Sequence, residues 1–321
     1  MASGGERTAS GPAKVVTLTL NPAIDISSEA ETVRHTHKTR THDETIEPGG
    51  GGINVARVLH RLGIDVKALF LGGGVTGRVL DDLLVRAGIE RSMIEIADDT
   101  RMSLTVVERS TGNEYRFVPE GPDVSATEAE AALEAASAAE CEYFVASGSL
   151  PRGIPDDFYA RLCKALPKRT RFVLDTSGRA LRAALDAGGI FLVKPSRGEL
   201  EALAARTLAE TGDIVAEARR IVAEGRAHNV AVTLGGEGAI LANSDGAEAL
   251  PAVPVKACSA VGAGDSFLAG MVYGFATGES AGESFRIGLA AGAAAMLSCG
   301  SDLARAEDLK RLVEQARSAS A

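Results

Sequence analysis

Short β-branched runs alternate with amphipathic, glycine-ended stretches along nearly the whole chain, and this alternation restricts the fold more than any other property. Lys14 to Leu20 (KVVTLTL) reads as a strand stopped by Asn21-Pro22. Ile53 to Leu59 places apolar residues at helical spacing and stops at Leu62-Gly63. Val66 to Leu71 is a further strand, Gly72 to Gly77 a loop, and Arg78 to Ala87 a helix ended by Gly88. The rhythm resumes with helix 125–139, strand 142–147, helix 155–166, strand 171–175, helix 178–186, strand 190–194 and helices 198–205 and 211–224. Strand 229–234, a short hairpin across 239–253 and helices 264–276, 281–298 and 306–318 complete it. Strands alternating with helices require an α/β fold, a central mostly parallel sheet with helices on both faces. Ligands then collect at the C-terminal ends of the strands.

Two stretches break the rhythm. Residues 26–47 are polar and weakly alternating, with Lys38 and Arg40 on one face of an extended excursion. Ser103 to Glu108 and Glu114 to Val118 alternate around Ser110-Thr111-Gly112-Asn113, a hairpin signature. Together they predict a small accessory sheet. Residues 1–13 are small and polar and read as a disordered tail, which leaves 14–321 as one domain without internal repeats.

The net charge of -9 argues against nucleic-acid or acidic-membrane partners. No run of about 18 uncharged apolar residues occurs, so no membrane span is expected. Cys141, Cys163, Cys258 and Cys299 lie far apart with no CxxC, which suggests neither a zinc site nor a disulfide framework and fits a cytoplasmic location.

Five places along the chain carry candidate chemistry. Ser259-Ala260-Val261-Gly262-Ala263-Gly264-Asp265-Ser266-Phe267 opens an apolar helix, so bare backbone N–H groups and the positive end of a helix dipole stand beside an acid. Gly49 to Gly52 lead into a second helix in the same way. Lys194-Pro195-Ser196-x-x-Glu199 sets a cation and an acid at one crevice, and Thr233-Leu234-Gly235-Gly236-Glu237-Gly238 lets backbone approach a ligand closely. Asp25 follows the first strand. Such a set suits a nucleotide and a second small substrate around one anion hole.

Other readings are weaker. Gly72-x-Gly74-x-x-Gly77 with Glu95 matches a dinucleotide fingerprint but follows an earlier strand–helix unit, and with Gly77-Arg78-Val79 it lacks the Gly-Lys-Ser/Thr of a phosphate-binding loop. The histidines, His35 and His37 among them, have no Cys or acid cluster at ligand spacing. Ser147-Gly148-Ser149-Leu150 lacks the second glycine of a nucleophile elbow.

Gly50-Gly51-Gly52-Ile53-Asn54-Val55-Ala56-Arg57 and Val261-Gly262-Ala263-Gly264-Asp265-Ser266-Phe267 resemble the N- and C-terminal signatures of the ribokinase-like sugar kinases, the PfkB-type family, and the likeness runs from about residue 15 to 301. Thr17 to Asp25 resembles its phosphosugar branch, and Glu47-Pro48-Gly49-Gly50-Gly51-Gly52-Ile53-Asn54, Asn113 to Phe117 and Ser147 to Pro151 look like the minor bacterial 6-phosphofructokinase type. The resemblance implies a ribokinase-like fold with a β lid over the site and ATP-dependent phosphorylation of the 1-hydroxyl of fructose 6-phosphate. Tagatose 6-phosphate and fructose 1-phosphate are alternative acceptors, and a non-catalytic sugar-phosphate-binding protein is an alternative of another class.

By the same resemblance Asp265 is the base, with Gly262, Ala263 and Gly264 forming the anion hole. Asp25, Gly50, Asn54 and Ser149 would hold the sugar, and Arg101 and Lys38 its phosphate. Lys194, Ser196, Thr233, Gly235 and Gly238 would line the ATP site, with Glu199 ordering Mg²⁺ through water. Backbone oxygens near Ser259, Val261, Ala295 and Gly300 would hold K⁺. The exposed accessory strands suggest a homodimer. Three residues depart from the family pattern: Ser196 stands where Asn is frequent, Ala260 where Thr is usual, and Asp302 where close relatives carry Arg.

Overall fold

The computed structural model describes residues 14–298 and 303–319. The tail expected over 1–13, and Cys299, Gly300 and Asp302, lie outside the described residues. In chain order the elements begin with β1 (Val15–Thr19), β2 (Ala23–Ala30), β3 (His42–Gly49), α1 (Gly51–Arg61), β4 (Val66–Gly73), α2 (Gly74–Arg86), β5 (Glu90–Ile96), β6 (Arg101–Glu108) and β7 (Glu114–Phe117). They continue with α3 (Ala126–Ser137), β8 (Tyr143–Ser147), α4 (Phe158–Ala165), β9 (Arg171–Asp175), α5 (Gly178–Ala187), β10 (Ile190–Val193), α6 (Arg197–Ala204) and α7 (Thr211–Ala223). Last come β11 (Ala227–Thr233), β12 (Ala239–Asn243), β13 (Gly246–Leu250), α8 (Ala263–Ala276), α9 (Ala281–Met296) and α10 (Ala306–Ala319).

The nine-stranded sheet runs β13-β12-β11-β10-β9-β8-β1-β4-β5. It is parallel from β11 to β5, and only β12 and β13 run antiparallel. Alternate residues of each strand feed opposite cores. Val15 joins α1, α2, α8, α9 and α10 on one face, whereas Val16 and Leu18 join α3 to α7 on the other. The chain leaves β1 for β4 on one side and returns to β8 on the other, so the connections diverge at the β1/β8 boundary. In an open α/β sheet this is the crevice where ligands bind.

Over that crevice lies a second sheet of four strands, β3-β2-β6-β7, built from the two stretches that broke the rhythm. Its strands start and end close to the expected limits, but residues 31–41 form a loop rather than strand, so Lys38 and Arg40 share no strand face. The glycines from Gly72 also behave differently from expectation. β4 runs through Gly73 and α2 starts at Gly74, because β5 packs so close that a side chain at Gly72 would meet Met93. The stretch is a packing contact and not a ligand loop.

Cys141 and Cys163 are free thiols, but Cys258 is disulfide-bonded, contrary to the reading from spacing. The fold brings Cys258 beside the end of α9, where its amide donates to the Met296 carbonyl at 2.7 Å. Among the described residues no helix is long and apolar enough to cross a membrane.

Candidate active site

The start of α8 is set by a left-handed residue, Gly262 (φ 70°), whose missing side chain leaves room for Leu303. No side chain caps this helix, and the amides of Gly262, Gly264 and Asp265 have no hydrogen-bond partner among the described residues. Unpaired amides at a helix N-terminus form an anion hole. Edge-on packing of Phe267 against Phe285 of α9, at 6.1 Å between ring centroids, fixes the rotation of the helix.

This first turn is the wall between two cavities. Val261, Gly262 and Asp265 face a polar cavity of 320 Å³ beneath the lid. Ala263 and Gly264 face a larger, mainly apolar one of 590 Å³, which Thr233, Gly235 and Gly238 also line. The second is large enough for a nucleotide and bounded by glycines that admit phosphates closely.

Asp265 is half-buried, and Asn54 of α1 donates to its Oδ2 at 2.8 Å. Burial, followed by the nearby charge of Asp175, pushes its pKa up to about 6, against the pull of Asn54 and Lys194. A carboxylate held there is a stronger base than a solvated one and is still ionised at neutral pH. Asn54, expected to hold sugar, lines the polar cavity and also orients this base.

Asp25, Gly50 and Ser149, expected to hold the sugar, line the polar cavity. Burial raises the Asp25 pKa despite Arg101 and Arg57. Asn21 donates to Ser149 Oγ at 3.2 Å across the β1/β8 boundary, which ties the two strand ends together. Arg57 ion-pairs Glu47 at 3.0 Å and donates to the Pro48 carbonyl at 3.0 Å, so α1 grips the strand that delivers Gly49 and Gly50.

The expected phosphate ligands divide. Lys38 is exposed and lines neither cavity. Arg101 lines the polar cavity, but its guanidinium donates to the carbonyls of Asn21 and Pro119, each at 2.8 Å, and more weakly to Pro22. A residue that the sequence reading missed, Arg116, also lines the cavity. Lid register explains its place: Ser27 pairs Thr105, which pairs Arg116, so two hydroxyls and a guanidinium form one row facing the site. The hairpin signature at 110–113 was the available signal for that register.

At the nucleotide end Ser196 bridges Thr233, and the Thr233 amide donates to the Pro195 carbonyl at 3.1 Å. Ser196 and Glu199 form a capping box, in which Glu199 Oε2 accepts from the Ser196 amide at 2.7 Å. Serine thus fills the capping position where Asn is frequent. Glu199 lines the polar cavity, and its second carboxylate oxygen suits a water-bridged divalent cation. The Val261 amide donates to Ser259 Oγ at 3.2 Å, and Ala295 lies in the last turn of α9, whose carbonyl end suits a monovalent cation. Gly300, the remaining expected ligand, lies outside the described residues.

The histidines need one correction. Glu29, His42 and Asp43 do converge on the lid, because β2 and β3 pair, but Arg109 already ion-pairs Glu29 and, at 3.2 Å, Asp43. Arg109 offsets one of the two carboxylate charges, and none of the three residues lines either cavity.

The profile of the pfkB family of carbohydrate kinases matches residues 15–307. The chain belongs to that family. This kinase is 40% identical over 309 residues to ATP-dependent 6-phosphofructokinase isozyme 2 of Mycobacterium tuberculosis, covering 95% of this chain and 91% of the relative. It is 38% identical over 304 residues to the isozyme 2 of Escherichia coli, covering 93% and 97%. A crystal structure of E. coli phosphofructokinase-2 in complex with potassium superposes with a TM-score of 0.91 at 37% identity, covering 95% and 99%. The kinase is thus an ATP-dependent phosphotransferase with a ribokinase-like fold.

Proposed function

We propose that this kinase transfers the γ-phosphoryl group of ATP to the 1-hydroxyl of fructose 6-phosphate, yielding fructose 1,6-bisphosphate. The observation that carries the reading is the first turn of α8 as the shared wall of two cavities, with Asp265 on the acceptor side and Gly264 on the nucleotide side. Fructose 6-phosphate is preferred as acceptor because the most similar relatives above are 6-phosphofructokinases.

Asp265 takes the proton of the attacking hydroxyl, while the amides of Gly262, Gly264 and Asp265 receive the charge on the group in transit; the Ala263 amide, expected to join them, is turned to the Ala260 carbonyl at 3.4 Å. Asp25, Gly50, Asn54 and Ser149 orient the sugar. Arg116 with Ser27 and Thr105 grips its phosphate, and Arg101 joins them by releasing its backbone carbonyls. Thr233, Gly235 and Gly238 seat the nucleotide, Lys194 neutralises its phosphates, and Ser196 shapes the turn beside them. Mg²⁺, held through water by Glu199, would neutralise ATP charge, and K⁺ would bind at the Ser259–Val261 turn beside Ala295.

The homodimer belongs to the same reading. Ile46, Leu104 and Phe117 lie in one cross-strand row on the lid face away from the cavity, and each is exposed. A second copy covering this row would bury surface that water otherwise meets. We place the protein in the cytoplasm, with its substrates.

Coupled assays of ADP release with fructose 6-phosphate, fructose 1-phosphate and tagatose 6-phosphate test the acceptor. The highest kcat/KM should fall on fructose 6-phosphate. Ligand binding without ADP release would leave a non-catalytic sensor instead.

A further inference from the structure

One buried cation stands among several acids between the two cavities, and its pairing is informative. Lys194, just past β10, is 6% exposed and sets Nζ 3.1 Å from Asp175 Oδ1. A methyl group at Gly264 would lie 3.6 Å from that same Nζ, so the ammonium rests against the first turn of α8, one residue from Asp265. Its ion pair among the described residues is nevertheless with Asp175. Burial opposes the ammonium's charge, but Asp175, Asp265 and Glu199 together outweigh it and keep the Lys194 pKa raised.

Asp175 itself ends β9 and receives Ser147 Oγ at 3.4 Å from the neighbouring strand end. It is therefore held from both sides, by β8 and by β10. The groups facing Asp265 are the Asn54 amide from α1, Asp25 from β2, Asp175 from β9 and Lys194 from β10. Of these only Lys194 would quench a base by direct pairing.

We propose that Asp175 is a positioning residue that takes the Lys194 ammonium for itself, leaving the Asp265 carboxylate without a paired cation and free to accept the hydroxyl proton. The proposal rests on Asp265 being the base. A buried ammonium stripped of its partner is costly, so without Asp175 it moves to the next carboxylate, and that is Asp265. The base then loses a neighbouring negative charge and gains a positive one, and both changes weaken it.

The test is the pH dependence of kcat/KM for the phosphosugar at saturating ATP and Mg²⁺, with folding followed by thermal denaturation. Asp175→Asn should move the acidic limb down by about one pH unit or more, and lower kcat at pH 8 about tenfold. Asp175→Glu should restore much of both. Adding Lys194→Met to Asp175→Asn removes the released ammonium and avoids leaving it unpaired, so the limb should return toward the wild-type position. An unmoved limb in the single variant, or an unchanged one on adding Lys194→Met, overturns the proposal. So does a raised Mg²⁺ requirement with the limb fixed, which would make Asp175 a metal-site residue. An active Asp265→Asn enzyme would instead refute the base assignment on which the proposal rests.

Discussion

Replacing Asp265 by Asn separates the catalytic role of the residue from its cost to the fold. Its pKa rises from an ordinary 3.8 to about 6 in the folded protein, chiefly through burial. At about 1.4 kcal/mol per pH unit, keeping this carboxylate ionised destabilises the native state by about 3 kcal/mol. Because the folded pKa lies above the unfolded one, the penalty is complete above about pH 6 and disappears below 3.8. The amide oxygen introduced by Asp265→Asn can still accept the Asn54 hydrogen bond without the charge. The variant should therefore be more stable than wild type by up to about 3 kcal/mol at pH 8, with about half that gain left at pH 5. Its turnover should fall at least about 10³-fold, and wild-type kcat/KM should drop about tenfold per pH unit below pH 6. Denaturant titrations at both pH values, with kinetics on the same preparations, read all three. A variant no more stable at pH 8, or one whose gain does not shrink at pH 5, would refute the burial argument. Retained activity would refute the role.

Arg116→Ala should raise KM for the phosphosugar at least about tenfold, the scale of a lost charge-assisted hydrogen bond, and leave KM for ATP within about twofold; initial rates with each substrate varied decide it. Gly262→Ala forces a side chain onto Leu303 at a positive φ, and should cost about 1–3 kcal/mol in denaturant unfolding and lower kcat by disturbing the α8 amides. Phe117→Asp, at an exposed lid position, should shift light-scattering mass toward the monomer, and an unchanged mass would relocate the interface.

The parallel sheet and its ligand-bearing edge were legible because strand and helix periods differ and because β1, β8, β10 and β11 end in residues unlike strand formers. β5 was not, since Glu90–Ile96 (ERSMIEI) is a mixed edge strand with no clean alternation, and the preceding glycines looked like a loop. Asp265 and the anion hole could be read locally, because the glycines and the acid are contiguous. Asp175 could not. Its partner Lys194 is fixed by the adjacency of β9 and β10, and the Asn54–Asp265 bond joins residues 211 apart in sequence. Arg116 required lid register, and the shared face of Lys38 and Arg40 was misjudged because their stretch is loop, where the period-two rule has no purchase.

The distribution of charge explains how an acidic chain can serve two anionic substrates. Arg101 and Arg116 belong to the lid, whereas Lys194 follows β10 of the main sheet, paired with Asp175 and against the first turn of α8. Between these groups lie Asp25, Asp175 and Asp265. A phosphate brought against that strip meets like charge in a half-buried, poorly screened setting, whereas a hydroxyl meets carboxylates that accept its proton. On the proposed assignment the acceptor enters with its phosphate toward the lid and its hydroxyl toward α8, which places the nucleophile beside Asp265. On that assignment the carboxylates that raise the basicity of Asp265, Asp175 and Asp25, would also select the end of the sugar that reaches it.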